Sequence, residues 1–107
     1  MTIEIPPAPS FDLSGRSAVI TGASRNIGLA IASAFAHAGA DVLLAARGEE
    51  LLREAAVALR AATKVRIETV VADVGTREGC DAIVEAAGKL PSVDILVNNA
   101  HTIGSSP

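Results

Sequence analysis

The sequence contains no tyrosine and no tryptophan, and phenylalanine occurs only twice in 107 residues. Any reaction that requires a tyrosine side chain is therefore beyond this chain alone. The single cysteine, Cys80, excludes an intrachain disulfide and a metal site built from several cysteines, and it is typical of a reducing compartment. No apolar run reaches the ~20 residues of a membrane-spanning helix. Residues 1–10 lack the charged-then-apolar pattern of a signal peptide, so we predict a cytoplasmic location.

Positive charge is also scarce. The chain carries 9 Lys and Arg against 12 Asp and Glu, a formal charge of −3, and no basic stripe. This balance argues against nucleic acid and against an anionic membrane surface as partners. The length predicts one domain, and a chain of this size can bury roughly two-thirds of its unfolded surface.

Apolar runs of strand length alternate with segments of helical period along residues 11–101. The proline-rich residues 1–10 precede them, and we expect a flexible arm there. The first strand, Ser17–Thr21, is a continuous run between two glycines, which is typical of a strand buried on both faces. Further strands are predicted at 41–45, 65–71 and 93–98, and helices in the segment from residue 27 to 38, over Glu49–Ala62 and after an N-cap at Thr76.

Each predicted helix has one apolar face. In the first helix it combines two rows, Ile27, Ile31 and Phe35 with Ala30, Ala34 and Ala38, and Gly39 follows where a C-terminal glycine adopts positive φ. In the second helix the face comprises Leu51, Leu52, Ala55, Ala58, Leu59 and Ala62. In the third it comprises Cys80, Ile83, Val84 and Ala87, which makes Cys80 a core residue rather than a nucleophile.

The element order βαβαβαβ predicts an α/β fold. Consecutive strand–helix–strand units give parallel strands joined by right-handed crossovers, with helices on both faces of the sheet. We therefore expect a doubly wound parallel sheet of about four strands and three helices.

The turn between the first strand and the first helix has the composition of a phosphate-binding turn. It runs from Thr21 to Gly28, directly after a strand and into a helix. Gly22 permits a tight turn and close backbone approach, and Gly28 lets the helix pack against the strand. The unpaired N–H groups of the helix end can hold a pyrophosphate. The alternative is an ordinary glycine-containing connection.

Three motifs on three consecutive strand ends resemble the short-chain dehydrogenase/reductase family. The first turn matches the family pattern Thr-Gly-x-x-x-Gly-x-Gly, with Asn26 in place of the middle glycine. Asp73-Val74 ends the third strand, where the family's aspartate contacts adenine. Asn98-Asn99-Ala100 ends the fourth strand, with His101 where the family has glycine. The resemblance covers residues 11–101 and implies a partial, Rossmann-like cofactor-binding domain. The end of the chain is polar and shows no period, so we expect an unstructured tail at 102–107.

Two arginines predict which dinucleotide is bound. An NAD(H)-binding site needs an acid about 20 residues after the glycine turn, and the second strand ends here in Ala-Ala-Arg. Arg25 and Arg47 suit a 2′-phosphate because a guanidinium donates forked hydrogen bonds to phosphate oxygens. Family members that prefer NADP(H) carry basic residues at these two positions. We therefore predict NADP(H) rather than NAD(H), with a solvated surface charge as the alternative for either arginine alone.

The resemblance implies a full set of cofactor-binding residues and assigns none to catalysis or to a metal. Asn98 is assigned to the scaffold and His37 to the solvated end of the first helix. His101 is assigned to the surface or the cofactor's flank, with a catalytic base as the less favoured alternative. Asp73 has the alternative role of a turn residue, and Asn98 and Asn99 have that of loop caps. The predicted cofactor-binding residues are Gly22, Ser24, Arg25, Asn26, Ile27, Gly28, Arg47, Asp73, Val74, Asn99 and Ala100.

The family's catalytic Asn, Ser and Tyr-x-x-x-Lys follow the fourth strand and have no counterpart in this sequence. Ser105 and Ser106 follow that strand too closely to be the catalytic serine. Two hypotheses remain open: the amino-terminal part of an NADP(H)-dependent oxidoreductase, inactive by itself and belonging to a family whose complete members are usually homo-oligomers, or a non-catalytic dinucleotide-binding module. The substrate cannot be read from these residues.

The fourth strand generates a first prediction, because it is an edge in this chain whereas it is central in the family. Ile95 and Val97 on one face, and Leu96 on the other, are then partly uncovered. We expect the isolated chain to be marginally stable, to aggregate, or to need a partner that supplies further strands. Sedimentation and thermal melts test this, and a soluble monomer with a cooperative transition would contradict it.

Overall fold

The computed structural model describes residues 2–5 and 11–100. Residues 2–5 are exposed and form neither helix nor strand, while the rest of the predicted arm and the predicted tail at 102–107 lie outside the described residues. Seven elements follow in the predicted order. They are β1 (Ser17–Thr21), α1 (Asn26–His37), β2 (Asp41–Ala46), α2 (Glu49–Ala62), β3 (Ile67–Val71), α3 (Arg77–Ala87) and β4 (Ile95–Val97).

The four strands form one parallel sheet in the order β3-β2-β1-β4. Helices α1 and α2 pack on one face, where Ile20 and Leu44 lie in the larger apolar cluster. Helix α3 packs on the opposite face against Val19 and Leu43. The predicted doubly wound α/β fold is confirmed. Strands β2 and β3 lie on one side of β1, and β4 lies on its other side. Such a reversal of strand order leaves a crevice at the carboxyl ends of the strands.

Strands β1 and β2 lie between neighbours and are covered on both faces. All five residues of β1 are buried, as are five of the six residues of β2. This double burial explains why both strands have continuous apolar sequences instead of alternating ones. Because helices cover both faces here, the carboxyl ends of these two strands are held rigidly beside each other.

Helix α1 contacts the sheet through a different row from the one predicted. Ile27 is 68% exposed, and Ala30 and Ala34 are exposed as well, so this part of the prediction is wrong. Ile31 and Phe35 do pack against the core. Small side chains let the helix approach the sheet closely, and the buried row is Gly28, Ala32 and Ala36. The predicted C-terminal glycine is confirmed, since Gly39 has a φ of 102°.

Helix α3 also presents a different face, and Cys80 is not a core residue. Cys80 is exposed and its thiol donates to the Val74 carbonyl at 3.4 Å, while Val84 is 71% exposed. Gly79, the third residue of the helix, is buried. The packed side of the helix is therefore shifted by about one residue from the predicted one. The residues of α3 that pack against the smaller apolar cluster are Ile83, Ala86 and Ala87. The predicted N-cap is confirmed, because the Thr76 hydroxyl accepts from the Gly79 N–H at 2.9 Å.

For helix α2, half of the predicted apolar face is confirmed and half is wrong. Its buried residues are Leu52, Ala55, Ala56 and Leu59, whereas Leu51, Ala58 and Ala62 are exposed. Leu51 instead lines the crevice at the strand ends. Within the described ranges, no helix is long and apolar enough to cross a membrane.

Strand β4 is shorter than predicted, and a carboxylate fixes its start. Asp94 accepts hydrogen bonds from the Ser92 hydroxyl at 2.6 Å and from the Ser17 backbone N–H at 2.9 Å, and Arg16 lies 3.7 Å away. These contacts, led by Ser92, lower the pKa of Asp94. They join the start of β4 to the start of β1. Leu96, in β4, is 58% exposed, as the edge position predicts.

Replacing Asp94 with asparagine tests this junction through the pH dependence of stability. Because folding lowers the pKa of Asp94, its contribution is complete above the ordinary aspartate pKa of about 3.9 and is lost as the pH falls through the folded-state pKa. Asp94→Asn should therefore lower the Tm at neutral pH, and the difference should shrink below about pH 4. Thermal melts over this range, with Glu85→Gln on the exposed face of α3 as control, measure it. A difference that does not change with pH would contradict the assignment.

Candidate functional site

The carboxyl ends of the strands open into a cleft of about 1060 Å³. Parallel strands bring their ends to one edge, so the turns that follow β1, β2, β3 and β4 meet there. Every residue of the predicted cofactor set except Gly28 lines this cleft. The lining residues are Gly22, Ser24, Arg25, Asn26, Ile27, Ala45, Ala46, Arg47, Gly48, Leu51, Ala72, Asp73, Val74, Gly75, Asn99 and Ala100.

Two glycines let three pieces of backbone approach one another beneath the cleft. Gly22 has a φ of 63°, and a Cβ added there would lie 3.0 Å from both Ala100 Cα and Asn99 Nδ2. A Cβ on Gly28 would overlap the Gly22 carbonyl and lie 2.6 Å from Asn99 Nδ2. Gly28 therefore does not line the cleft itself, but its lack of a side chain allows α1 to pack closely against the end of β1.

The amino end of α1 lies at the cleft, and neither a capping side chain nor an acidic residue of the first turn offsets its partial positive charge. Arg25 occupies the N-cap position with extended backbone, a φ of −162°, and its side chain forms no cap hydrogen bond. The first turn contains no acidic residue. The first N–H groups of a helix have no intrahelical partner and carry a partial positive charge. This end of the cleft is therefore suited to an anion, and a phosphate group fits it chemically.

The charged residues of the cleft are unevenly distributed. Arg25 lies in the turn after β1 and Arg47 directly after β2, and both are exposed at the same cleft. Asp73, after β3, is its one acidic lining residue in the described part of the chain. Two guanidiniums at neighbouring strand ends can both donate to one doubly charged anion.

Asp73 shapes the turn after β3, which is the alternative role that the sequence suggests for it. Its Oδ1 accepts from the Gly75 N–H at 2.8 Å, and its carbonyl accepts from the Thr76 hydroxyl at 3.0 Å. These bonds shape the loop between β3 and α3, and they hold Asp73 and Val74 at the rim of the cleft. A structural role in the turn and a position at the cleft are thus combined in one residue.

Thr21 is a structural part of the site that the sequence did not single out. Its side chain is buried, its hydroxyl donates to the Val97 carbonyl at 3.3 Å, and it accepts from the N–H groups of Asn99 and Ala100 at 3.0 Å each. One hydroxyl therefore joins the end of β1 to the end of β4. The available signal was a polar residue ending an otherwise apolar strand, since buried hydroxyls need partners.

The two asparagines after β4 lie in different surroundings. The Asn99 side chain donates to the Gly22 carbonyl at 3.2 Å, so Asn99 both supports the glycine turn and lines the cleft. Asn98 is exposed. His101 lies outside the described residues. His37 is exposed near the end of α1, as predicted, and its Nδ1 lies 2.8 Å from the Ser33 carbonyl.

Thr21→Val tests whether the hydroxyl holds the strand ends together. Valine keeps the shape but leaves two N–H groups and one carbonyl without this partner, and each such loss costs about 1–3 kcal/mol when buried. We expect a loss of about 2 kcal/mol or more in the free energy of unfolding measured in urea. The matched control is Thr69→Val, at an exposed threonine of β3, with an expected effect within about 0.5 kcal/mol. Equal effects in the two variants would show that the hydroxyl has no such role.

Comparison with known proteins places this architecture in a family. Residues 16–107 match the family described as short chain dehydrogenase. An uncharacterized oxidoreductase of Mycobacterium tuberculosis is 46% identical over 90 residues, which cover 83% of this chain and 34% of that protein. The chain thus spans about a third of the length of the curated relatives it matches.

Two solved structures resemble the fold closely. L-sorbose reductase from Gluconobacter frateurii, complexed with NADPH and L-sorbose, is 46% identical with a TM-score of 0.86, over 92% of this chain and 38% of that one. The RhlG/NADP active-site complex from Pseudomonas aeruginosa is 39% identical with a TM-score of 0.79, over 88% of this chain and 38% of that one. By sequence and by fold, the chain belongs to the short chain dehydrogenase family of oxidoreductases.

Proposed function

We propose that this chain binds NADP(H) as the cofactor-binding part of an oxidoreductase that transfers hydride between the nicotinamide and a carbonyl or alcohol substrate. The cleft carries the proposal, because an uncapped, acid-free helix end and two arginines line it together. Solved relatives with the same fold are complexes with NADPH or NADP. Bound NADP(H) would supply the hydride, and the residues of this chain would bind and orient it.

The residues divide along the cleft according to their chemistry. The turn from Gly22 to Gly28 and the helix end would hold the diphosphate through backbone N–H groups, with Ser24, Asn26 and Ile27 as its lining. Arg25 and Arg47 would hold the 2′-phosphate. Asp73 and Val74 lie at the rim after β3, where the family's equivalents contact adenine. Asn99 and Ala100, which follow β4 and line the cleft, would contact the ribose on the nicotinamide side.

The charge distribution supports NADP(H) over NAD(H). A site for the plain ribose uses an acid after the second strand to accept from the 2′-hydroxyl. Here that position is Arg47, which would instead attract a phosphate. Because both guanidiniums are exposed, the 2′-phosphate would add interactions without requiring burial of unpaired charge.

A non-catalytic dinucleotide-binding module is the second candidate function. Its support is that the cleft lining accounts for cofactor binding and, among the described residues, contains none that the sequence predicts to be catalytic. Both candidates predict cofactor binding by the same residues. They differ in whether catalytic groups complete the site, and hydride transfer to a carbonyl compound by the purified chain would favour catalysis without the family's tyrosine.

The arginine pair is tested by calorimetric titration with NADP⁺ and NAD⁺. Arg25→Ala and Arg47→Ala should each weaken NADP⁺ binding about ten-fold, since a charge-assisted hydrogen bond contributes about 1.5–3 kcal/mol and these groups are exposed. Binding of NAD⁺ should change less than two-fold or so, because it has no 2′-phosphate. The preference for NADP⁺ should therefore fall in both variants.

Arg53→Ala provides the matched control for that titration. Arg53 is an exposed arginine on α2, 3.7 Å from Glu49, and it does not line the cleft. Its replacement should leave both affinities unchanged. Equal affinity of the unmodified chain for NADP⁺ and NAD⁺ would refute the arginine assignment, and no measurable binding of either would refute the proposed function.

A further inference from the structure

Asn26 is the point at which the glycine turn departs from its family pattern. It is the first residue of α1 and has a φ of 55°, and it is the one non-glycine residue with positive φ in the described ranges. The other positive-φ residues there are Gly15, Gly22 and Gly39. The left-handed region is unfavourable for any side chain, although asparagine tolerates it better than most residues. Glycine would adopt this conformation without steric penalty.

No contact among the described residues explains the asparagine. Arg25, and not Asn26, occupies the N-cap position where asparagine commonly accepts from the first turn. Asn26 is exposed, and its side chain has no hydrogen bond to any residue in the described part of the chain. It does, however, line the cleft beside Ser24 and Arg25. Asn26 is therefore placed where its carboxamide can reach a molecule bound in the cleft.

The chemistry of the carboxamide suits a diphosphate. Its NH₂ group supplies two donors without adding charge, and diphosphate oxygens can accept more hydrogen bonds than the backbone N–H groups of one helix end provide. The side chain is short and begins at the first helical residue, so it stays near the helix end. The longer Arg25 and Arg47 side chains can extend to a more distant phosphate.

We propose that Asn26 is a cofactor-binding residue whose side-chain NH₂ donates to the diphosphate of NADP(H). This inference rests on the proposed function and gives the Asn26 side chain a specific contact, at a position where the family pattern has only a hydrogen atom. Asparagine is less stable than glycine in the left-handed conformation at this position. Its side chain would compensate by raising the affinity for the dinucleotide. Stability and affinity should consequently respond in opposite directions when the side chain is removed.

Asn26→Gly tests this opposition in the full chain. Removing the side chain relieves the left-handed conformation, so the Tm without ligand should rise by about 2–6 °C. The dissociation constant for NADP⁺ should increase about ten-fold through loss of a hydrogen bond to a charged acceptor. Asn26→Asp keeps the shape but replaces the donor with a negative charge, and it should weaken NADP⁺ binding more than Asn26→Gly does.

Two further measurements locate the contact and control for helix stability. Adenosine 2′-phosphate has no diphosphate, so its affinity should be the same for Asn26→Gly and the unmodified chain, whereas ADP-ribose should show the ten-fold loss. Ala30→Gly, at an exposed position in the middle of α1, should lower the Tm and leave NADP⁺ affinity unchanged.

The outcomes separate this inference from the function on which it rests. If the unmodified chain does not bind NADP⁺, the proposed function fails and the role of Asn26 fails with it. If it binds NADP⁺ and Asn26→Gly binds equally or more tightly, the function stands and the inference is wrong. A Tm that does not rise in Asn26→Gly also contradicts it, as does an equal loss of affinity for adenosine 2′-phosphate.

Discussion

Gly28 lies directly against the carbonyl of Gly22, and the arrangement of the cleft depends on this contact. Any side chain at Gly28 would overlap that carbonyl, so α1 could not approach the end of β1 at its present distance. The approach brings the unpaired N–H groups of the helix to the carboxyl edge of the sheet. The same atoms thus determine how the first helix packs and where an anion can bind.

Hydrogen bonds from β4 hold that turn in place from the other side. The Thr21 hydroxyl and the Asn99 carboxamide join the end of β4 to the end of β1 and to the Gly22 carbonyl. At the opposite end of the same two strands, Asp94 joins their starts. The cleft is therefore built on a strand pair fixed at both ends, although β4 itself lies at the edge of the described sheet.

The sequence allowed the element order, the parallel sheet and the residues at the cleft to be predicted. The element order depends on the spacing of apolar residues, which is a local property of the sequence. The cleft residues follow from the rule that parallel strands end at one edge of the sheet, which is a property of the topology. The helix faces were harder, because many side chains in α1 are small and alanine carries little directional signal. The spacing of Cys80 and Val84 fits a helix face and predicts that both point inward, yet α3 packs through Gly79, Ile83 and Ala86 instead.

Roles that depend on a contact across the sheet could not be predicted from one strand alone. Thr21 ends an apolar strand and differs little in sequence from an ordinary strand-end threonine. Its function appears only when Asn99 and Ala100, far along the chain, are placed beside it. The positive φ of Asn26 is likewise a property of the folded turn, although the departure from the glycine pattern marked the position.

The most direct measurement of the central claim is the amide NMR spectrum of the chain during titration with NADP⁺. The account predicts that the largest shifts fall on the amides between Gly22 and Gly28, with smaller ones near Arg47 and Asp73. Shifts confined to a smaller pocket, of about 140 Å³ between α2 and β3, would contradict it. So would saturable binding that leaves the Gly22 and Gly28 amides unchanged.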